Sequence, residues 1–353
     1  MPLTTIEEFN IKRLQVIDEA GNADASVAPD ISDALYKRFF ESIILARTFN
    51  QRAVSLQREG RLGTYPSILG QEASQIGSAL AFEDSDWVVS SFRETGVFIA
   101  SGYQMALLLR YWMGDERGMR CPDGLNIYPM AVPVGSQIPH AVGIGIAMNY
   151  RGDKKAVAVY FGDGGSSRGD FHEGLNIAGV FKAPCVFLCQ NNQWAISVPR
   201  SRQTAARSIA QRAASYGIEG IQVDGNDVAA VYKAASEAVA KAKAGNGPTL
   251  IECYTYRLDD HTTSDDATRY RTKDEVEQWQ RREPLIRLRL FLEKKGLWTQ
   301  AYEDDITNKA LAQVDEAVGV AEAMPHPVTA DTILYTNKEL SPRQILELKE
   351  HGG

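Results

Sequence analysis

Two polar clusters in one stretch of the chain could hold a charged ligand between them. The first, Gly162-Asp163-Gly164-Gly165, follows the apolar run Ala156-Val157-Ala158-Val159-Tyr160-Phe161. The second, Gln190-Asn191-Asn192, follows Cys185-Val186-Phe187-Leu188-Cys189. A glycine turn feeding a helix N-terminus ordinarily receives phosphate, because free backbone N–H groups and the helix dipole favour an anion. Here a carboxylate, Asp163, stands inside the turn and repels a diphosphate unless a cation lies between them. An all-oxygen site suits Mg2+ or Ca2+, and Mg2+ in particular is commonly shared between a carboxylate and phosphate oxygens. Asn192, 29 positions after Asp163, adds a neutral amide oxygen. The chemistry these residue types point to is a metal-bridged diphosphate.

A definite frame must position them. The two apolar runs, with a helical pattern through Val180 between them, read as strand, helix, strand, and parallel strands require a crossover of that length. Ligands of such open sheets bind beyond the carboxyl ends of the strands, where both clusters fall. Further strands are predicted at 87–90, 220–224 and 249–256, and helices at 33–59, 71–82, 104–113, 136–150 and 227–244. The fold class is therefore α/β, a parallel sheet with helices on both faces, followed by helical C-terminal segments. One amphipathic helix is expected over 273–295, another over 303–323, and a short one from Ser341-Pro342. The expected division is an N-terminal arm (1–30), an α/β domain (31–300) and a C-terminal helical extension (301–353). The arm reads as packed on something else, such as another subunit, or as disordered. Gly143 and Gly145 lie inside the 136–150 helix, where glycine costs ~1 kcal/mol, so close packing is expected to explain them. Segment 201–217, with Arg202, Arg207 and Arg212, reads as a solvated basic face.

Composition narrows the function. The 353 residues are 44% hydrophobic and 24% charged, as in a soluble globular protein, and a net charge of −7 argues against a general nucleic-acid binder. No apolar run approaches the roughly 20 residues of a membrane span. The N-terminal MPLTTIEEFN lacks the basic and apolar regions of a targeting peptide. A cytoplasmic chain with no membrane or nucleic-acid partner is expected. The four cysteines form no disulfide framework, since Cys185 and Cys189 lie too far apart along one strand to bridge.

Gly162-Asp163-Gly164, a spacer and Asn191-Asn192 together resemble the thiamine diphosphate signature. Gln190-Asn191-Asn192-Gln193-Trp194-Ala195-Ile196-Ser197 resembles its version in the alpha subunits of the decarboxylating component of 2-oxo acid dehydrogenase complexes. No G-x-G-x-x-G pattern competes with it here. The resemblance spans roughly residues 35–295 and implies the thiamine diphosphate-binding fold. It implies that the side chains of Asp163 and Asn192 and the carbonyl of Trp194 hold Mg2+, with Gly164 and Gly165 in the diphosphate turn. It places Arg93 on the diphosphate, next to Phe92 where relatives carry Tyr, so any contact through that hydroxyl is lost. A backbone contact to the aminopyrimidine maps to Val134, and a structural monovalent cation to Ser136 and Gln137. His261, in the polar loop 257–271, matches a histidine that lines the active site, where it bonds the diphosphate or handles a proton; it is the candidate catalytic residue. Thr64, Tyr65 and Ser264 are the substrate candidates. Thr262 stands where some relatives carry a regulated serine, and nothing in the sequence predicts its phosphorylation.

The implied reaction is attack of the cofactor carbanion on a 2-oxo acid, loss of CO2, and transfer of the acyl group to lipoyl-lysine on an acyltransferase core. A glutamate against the aminopyrimidine is also needed. In this family it comes from a second, pyrimidine-binding domain, and the chain has room and motifs only for the diphosphate-binding one. The glutamate is therefore expected on a beta subunit, in an α2β2 assembly, and this chain alone is expected to be inactive. Gly60-Arg61-Leu62-Gly63-Thr64-Tyr65-Pro66 and Gly70-Gln71-Glu72-Ala73 look more like bacterial pyruvate enzymes than branched-chain ones. Branched-chain 2-oxo acids and acetoin stay open as substrates. So do a transketolase-like half enzyme and a non-catalytic nucleotide-binding subunit.

Overall fold

The computed structural model describes residues 3–334 and 336–351. Its strands are β1 (Arg13–Leu14), β2 (Trp87–Val89), β3 (Val157–Gly162), β4 (Cys185–Asn191), β5 (Trp194–Ala195), β6 (Val198–Pro199), β7 (Glu219–Asp224) and β8 (Thr249–Tyr254). Six of them form one sheet in the order β1-β7-β8-β4-β3-β2, every neighbouring pair parallel. The remaining two, β5 and β6, pair as an antiparallel hairpin just beyond β4.

The helices are α1 (Asp33–Arg58), α2 (Glu72–Ala79), α3 (Thr95–Ala100), α4 (Met105–Trp112), α5 (Gln137–Arg151), α6 (Gly169–Val180), α7 (Arg200–Gln203), α8 (Val228–Lys243), α9 (Lys273–Gln280), α10 (Pro284–Lys294), α11 (Gln300–Ala323), α12 (Asp331–Leu334) and α13 (Pro342–His351). A parallel sheet covered on both faces must be apolar on both, and β3 shows this. Its Val157, Val159 and Phe161 pack with residues of α5 and α6, while Ala158 and Tyr160 pack with α1, α4, α8 and α11. Among the described residues no helix is long and apolar enough to cross a membrane, and the four cysteines are free.

Three expectations change. The single helix over 273–295 is two helices, α9 and α10. Glu283 accepts hydrogen bonds from the N–H groups of Leu285 and Ile286, and Pro284 fills the first turn, where a missing N–H costs nothing. The start of the chain is not only an arm on something else: Leu14 pairs with Val223 of the same chain. Val16 and Ile17 are buried and donate their N–H groups to Asp227 at 2.6 and 2.7 Å. At the other end, α11 is built into the core through Ile306, Ala310, Val314, Ala317, Val318 and Ala321, whereas α12 and α13 bury nothing. The packing reason expected for the glycines of α5 exists at Gly145, where a Cβ would meet the Cys185 sulfur at 3.0 Å; around Gly143 there is open space.

The topology delivers four loops to one edge. They follow β2 (residues 90–94), β3 (162–165), β4 (192–196) and β8 (255–271), all from carboxyl ends of parallel strands.

Candidate active site

These loops enclose a cavity of about 470 Å³. Asp163, Gly164 and Gly165 reach it from β3, Asn192 and Trp194 from β4, Phe92 and Arg93 from β2, and His261 from β8. Thr64 and Val134 also line it. Four expected residues lie elsewhere. Tyr65 is fully buried in the core, its hydroxyl 3.4 Å from that of Thr95. Ser264 is exposed and bonded to Thr262. Ser136 bonds the Pro133 carbonyl at 2.8 Å, and buried Gln137 donates to the Tyr160 carbonyl at 2.7 Å.

The turn after β3 tightens into a single 3-10 stretch, Asp163–Ser167. Glycine is required at 164, because a Cβ there would lie 2.8 Å from that of Ala195 in the β5–β6 hairpin. The hairpin itself is held in an unusual backbone shape, with Gln193 at φ 74° and Ile196 at φ 54°. Left-handed geometry at a β-branched residue is costly and persists where surrounding contacts impose it. Those contacts come from Arg257, a side chain with no exposed surface. Its Nη1 donates to the Trp194 carbonyl at 3.2 Å and its Nη2 to the Ile196 carbonyl at 2.9 Å.

Arg93 and Arg257 also fix the state of His261. Nη2 of Arg93 lies 3.0 Å, and Nη1 of Arg257 3.3 Å, from His261 Nδ1. A guanidinium can only donate, so Nδ1 is an acceptor and the neutral ring carries its proton on Nε2. Burial, then the two arginines, push the imidazole pKa down to about 3. At neutral pH this histidine is a hydrogen-bond donor through Nε2 and carries no charge. Phe92 stacks edge-on against it, ring centres 6.0 Å apart.

The residues fit a divalent cation and a diphosphate. Asp163 is 1% exposed, and burial pushes its pKa up to about 6. Among the described residues no cationic side chain pairs with it directly; Gln203 Nε2 donates to its Oδ2 at 2.6 Å. A buried carboxylate without a directly paired counter-charge is costly even with Arg257 nearby, and a bound cation offsets that cost. No group of three His, Cys, Asp or Glu side chains gathers among the described residues. Asp163 and Asn192 bring one carboxylate and one amide to the cavity wall, while the Trp194 carbonyl already accepts from Arg257, so an Mg2+ shell built here would be completed largely by phosphate and water. Arg93 is 6% exposed and, among the described residues, its guanidinium bonds only neutral groups, the carbonyls of Ser67 and His261 and the ring Nδ1. A buried guanidinium held that way suits an anionic ligand.

Several contributors have no site role in the sequence reading. Gln71 and Gln203 bond Asn192 and Asp163 respectively. Arg212, expected on a solvated face, instead donates to the Ser166 carbonyl and lies over the Phe171 ring at 5.8 Å. Glu94 lies on the cavity wall, accepting from Gln190 Nε2 at 2.7 Å and from the Arg93 N–H at 3.2 Å. Its position directly after the Phe-Arg pair was the available signal.

Burial raises the Glu94 pKa to about 7, against an ordinary value of 4.5. The folded protein thus keeps this proton in the window from 4.5 to 7, where the unfolded chain loses it. The group's contribution to stability is largest below that window and declines as pH rises through it. Glu94→Gln should remove the decline. In equilibrium unfolding at pH 5 and pH 8, wild type is expected to lose about 2–3 kcal/mol relative to the variant; parallel pH profiles would disprove the assignment.

The family model "Dehydrogenase E1 component" matches residues 41–329. The "Pyruvate dehydrogenase E1 component subunit alpha" of Staphylococcus aureus strain Mu50 is 43% identical over 317 residues, covering 89% of this chain and 86% of the relative. The Staphylococcus epidermidis protein of the same name is 42% identical with the same coverage. Sheet topology, the two clusters at adjacent strand ends and these similarities agree: the chain belongs to the dehydrogenase E1 component family, as an alpha subunit.

Proposed function

We propose that this chain is the alpha subunit of a pyruvate dehydrogenase decarboxylating component, taking pyruvate as the 2-oxo acid and passing the acetyl group to lipoyl-lysine. The observation that carries the reading is the pairing of buried Asp163 and Asn192 at the ends of neighbouring strands, across one cavity from Arg93 and His261. Asp163, Asn192 and the Trp194 carbonyl would hold Mg2+. Arg93, the Nε2–H of His261 and the backbone at Gly164 and Gly165 would hold the diphosphate. Thiamine diphosphate, when bound, supplies the nucleophile and the electron sink for loss of CO2.

The chain's own residues bind and orient; none of them performs the acid–base step. With its Nδ1 held as an acceptor by Arg93 and Arg257, His261 presents its Nε2–H to the cavity, where it would fix an oxygen. Val134, at the cavity mouth, offers backbone groups to the aminopyrimidine. Thr64 is the substrate candidate on the cavity wall; Tyr65 supports it from below, its N–H and carbonyl bonded to Thr263. The beta subunit implied by membership supplies the aminopyrimidine-side glutamate in an α2β2 assembly, which delivers the acyl group to a lipoyl acyltransferase core.

The test is a substrate panel on the chain co-produced with its beta subunit, reading reductive acylation of lipoyl domains. Pyruvate is expected to exceed branched-chain 2-oxo acids in kcat/KM by at least about tenfold, the scale on which small pockets discriminate added methylenes. A preference for branched-chain acids would move the substrate. Absence of lipoyl acylation would remove the proposal.

A further inference from the structure

Two glutamines from outside the signature bond the side chains of Asn192 and Asp163. Gln71 stands at the N-terminal cap of α2 with no exposed surface, and Gln203 is the last residue of α7. Gln71 Oε1 accepts from Asn192 Nδ2 at 3.0 Å, and Gln203 Nε2 donates to Asp163 Oδ2 at 2.6 Å.

We propose that Gln71 and Gln203 are a pair of positioning residues that set the Asn192 amide and the Asp163 carboxylate for a divalent cation; this rests on the cofactor reading above. An asparagine can offer a cation its oxygen but not its NH2 group. Because Gln71 Oε1 can only accept, it holds the Nδ2 end of Asn192 and leaves Oδ1 as the free ligand atom. Oδ1 meets one weak donor, the Trp194 N–H at 3.2 Å, and keeps a lone pair. Gln203 acts with the opposite polarity. Its NH2 group holds one carboxylate oxygen of Asp163 and is itself oriented by the Val198 carbonyl at 3.1 Å. Ligating groups are commonly fixed by such outer hydrogen bonds, whose loss typically costs 10–100-fold in metal affinity.

The second atom of each amide strengthens the case. Gln71 Nε2 and Gln203 Oε1 are both buried with no partner. Buried polar atoms rarely stay unpaired, because desolvation without a bond is costly. Gln71 lines the cavity, and its spare donor suits a phosphate oxygen. The spare acceptor on Gln203 suits a proton of water on the cation, which Mg2+ gives up reluctantly.

The experiment uses the complex of this chain with its beta subunit, carrying Gln71→Met, Gln203→Met or Asp163→Ala. Mg2+ is titrated in the presence of thiamine diphosphate, following tryptophan fluorescence, and thermal unfolding is recorded without metal. Each glutamine variant is expected to raise the half-saturating Mg2+ concentration about 10–100-fold, with metal-free unfolding close to wild type and KM for pyruvate unchanged at saturating metal. Wild-type Mg2+ dependence in either glutamine variant, alongside a lost response in Asp163→Ala, overturns the pair and leaves the cofactor reading intact. An unchanged response in Asp163→Ala overturns the reading itself. Because Gln203 is only partly buried, its variant keeps the test decisive if Gln71→Met folds poorly.

Discussion

Asp163→Ala should abolish the metal dependence of thiamine diphosphate binding, weakening binding in the presence of Mg2+ by at least about 100-fold, since even outer hydrogen bonds to metal ligands are worth 10–100-fold. The side chain lies inside the turn proposed to face the diphosphate, and among the described residues its direct partner is the neutral Gln203, with Arg93 and Arg257 acting on it only from a distance. Without a cation that charge repels the ligand; with one it becomes the strongest attachment point. Calorimetry with and without Mg2+ separates the two effects. Wild type should show a large gap between the titrations, and the variant none, because Arg93 and the Nε2–H of His261 still offer weak, metal-independent binding. Loss of fold can be distinguished from loss of binding. Burial raises the Asp163 pKa to about 6 from 3.8, so above pH 6 the folded protein holds an ionised carboxylate that the interior disfavours. The penalty grows as pH rises through the window from 3.8 to 6. Alanine removes it, so the metal-free variant should unfold no earlier than wild type at pH 8. Metal-independent binding by wild type would count against the metal-bridged site.

Much of the frame was legible because its physics is local. The runs at 156–161 and 185–189 carry β-branched and apolar residues at every position, as a sheet buried on both faces demands, and both became strands. Asp163 and Asn192 were legible because a carboxylate in a phosphate-type turn is chemically conspicuous. Less legible was anything whose role depends on partners distant in sequence. Gln203 sits in a polar stretch without periodicity, and only the β5–β6 hairpin carries it back to Asp163. Arg257 reads as one more polar residue of its loop, yet it fixes two carbonyls of the hairpin and the tautomer of His261. Helical periodicity alone ran through 273–295. The competing signal was Glu-Pro at 283–284, a capping pair that outweighs amphipathic spacing. Tyr65 and Gln137 matched motif positions, but their side chains are committed to the core, a matter of burial that no motif encodes.

The chain without its beta subunit should decarboxylate pyruvate at least about a thousandfold more slowly than the reconstituted complex, within the range that a positioned acid–base group contributes. Two carboxylates line the cavity, Asp163 and Glu94, and each already has partners within this chain. Asp163 is assigned to the cation. Glu94 is engaged through both oxygens, one accepting from Gln190 Nε2 and the other from the Arg93 N–H. The cavity mouth is also unfinished for this chemistry. Val132, Val134 and Ile196 line it at 52%, 44% and 57% exposure, leaving an apolar rim in contact with water. Loss of CO2 leaves charge that bulk water would intercept, so a second surface must close over this rim. The same partner can bring the missing carboxylate. Addition of the beta subunit should therefore restore turnover, while Mg2+-dependent cofactor binding should be detectable on the chain alone, because the residues proposed to hold Mg2+ and the diphosphate all belong to it. A normal decarboxylation rate from the purified chain would mean that Glu94 supplies the carboxylate after all, and the two-chain active site would have to be abandoned.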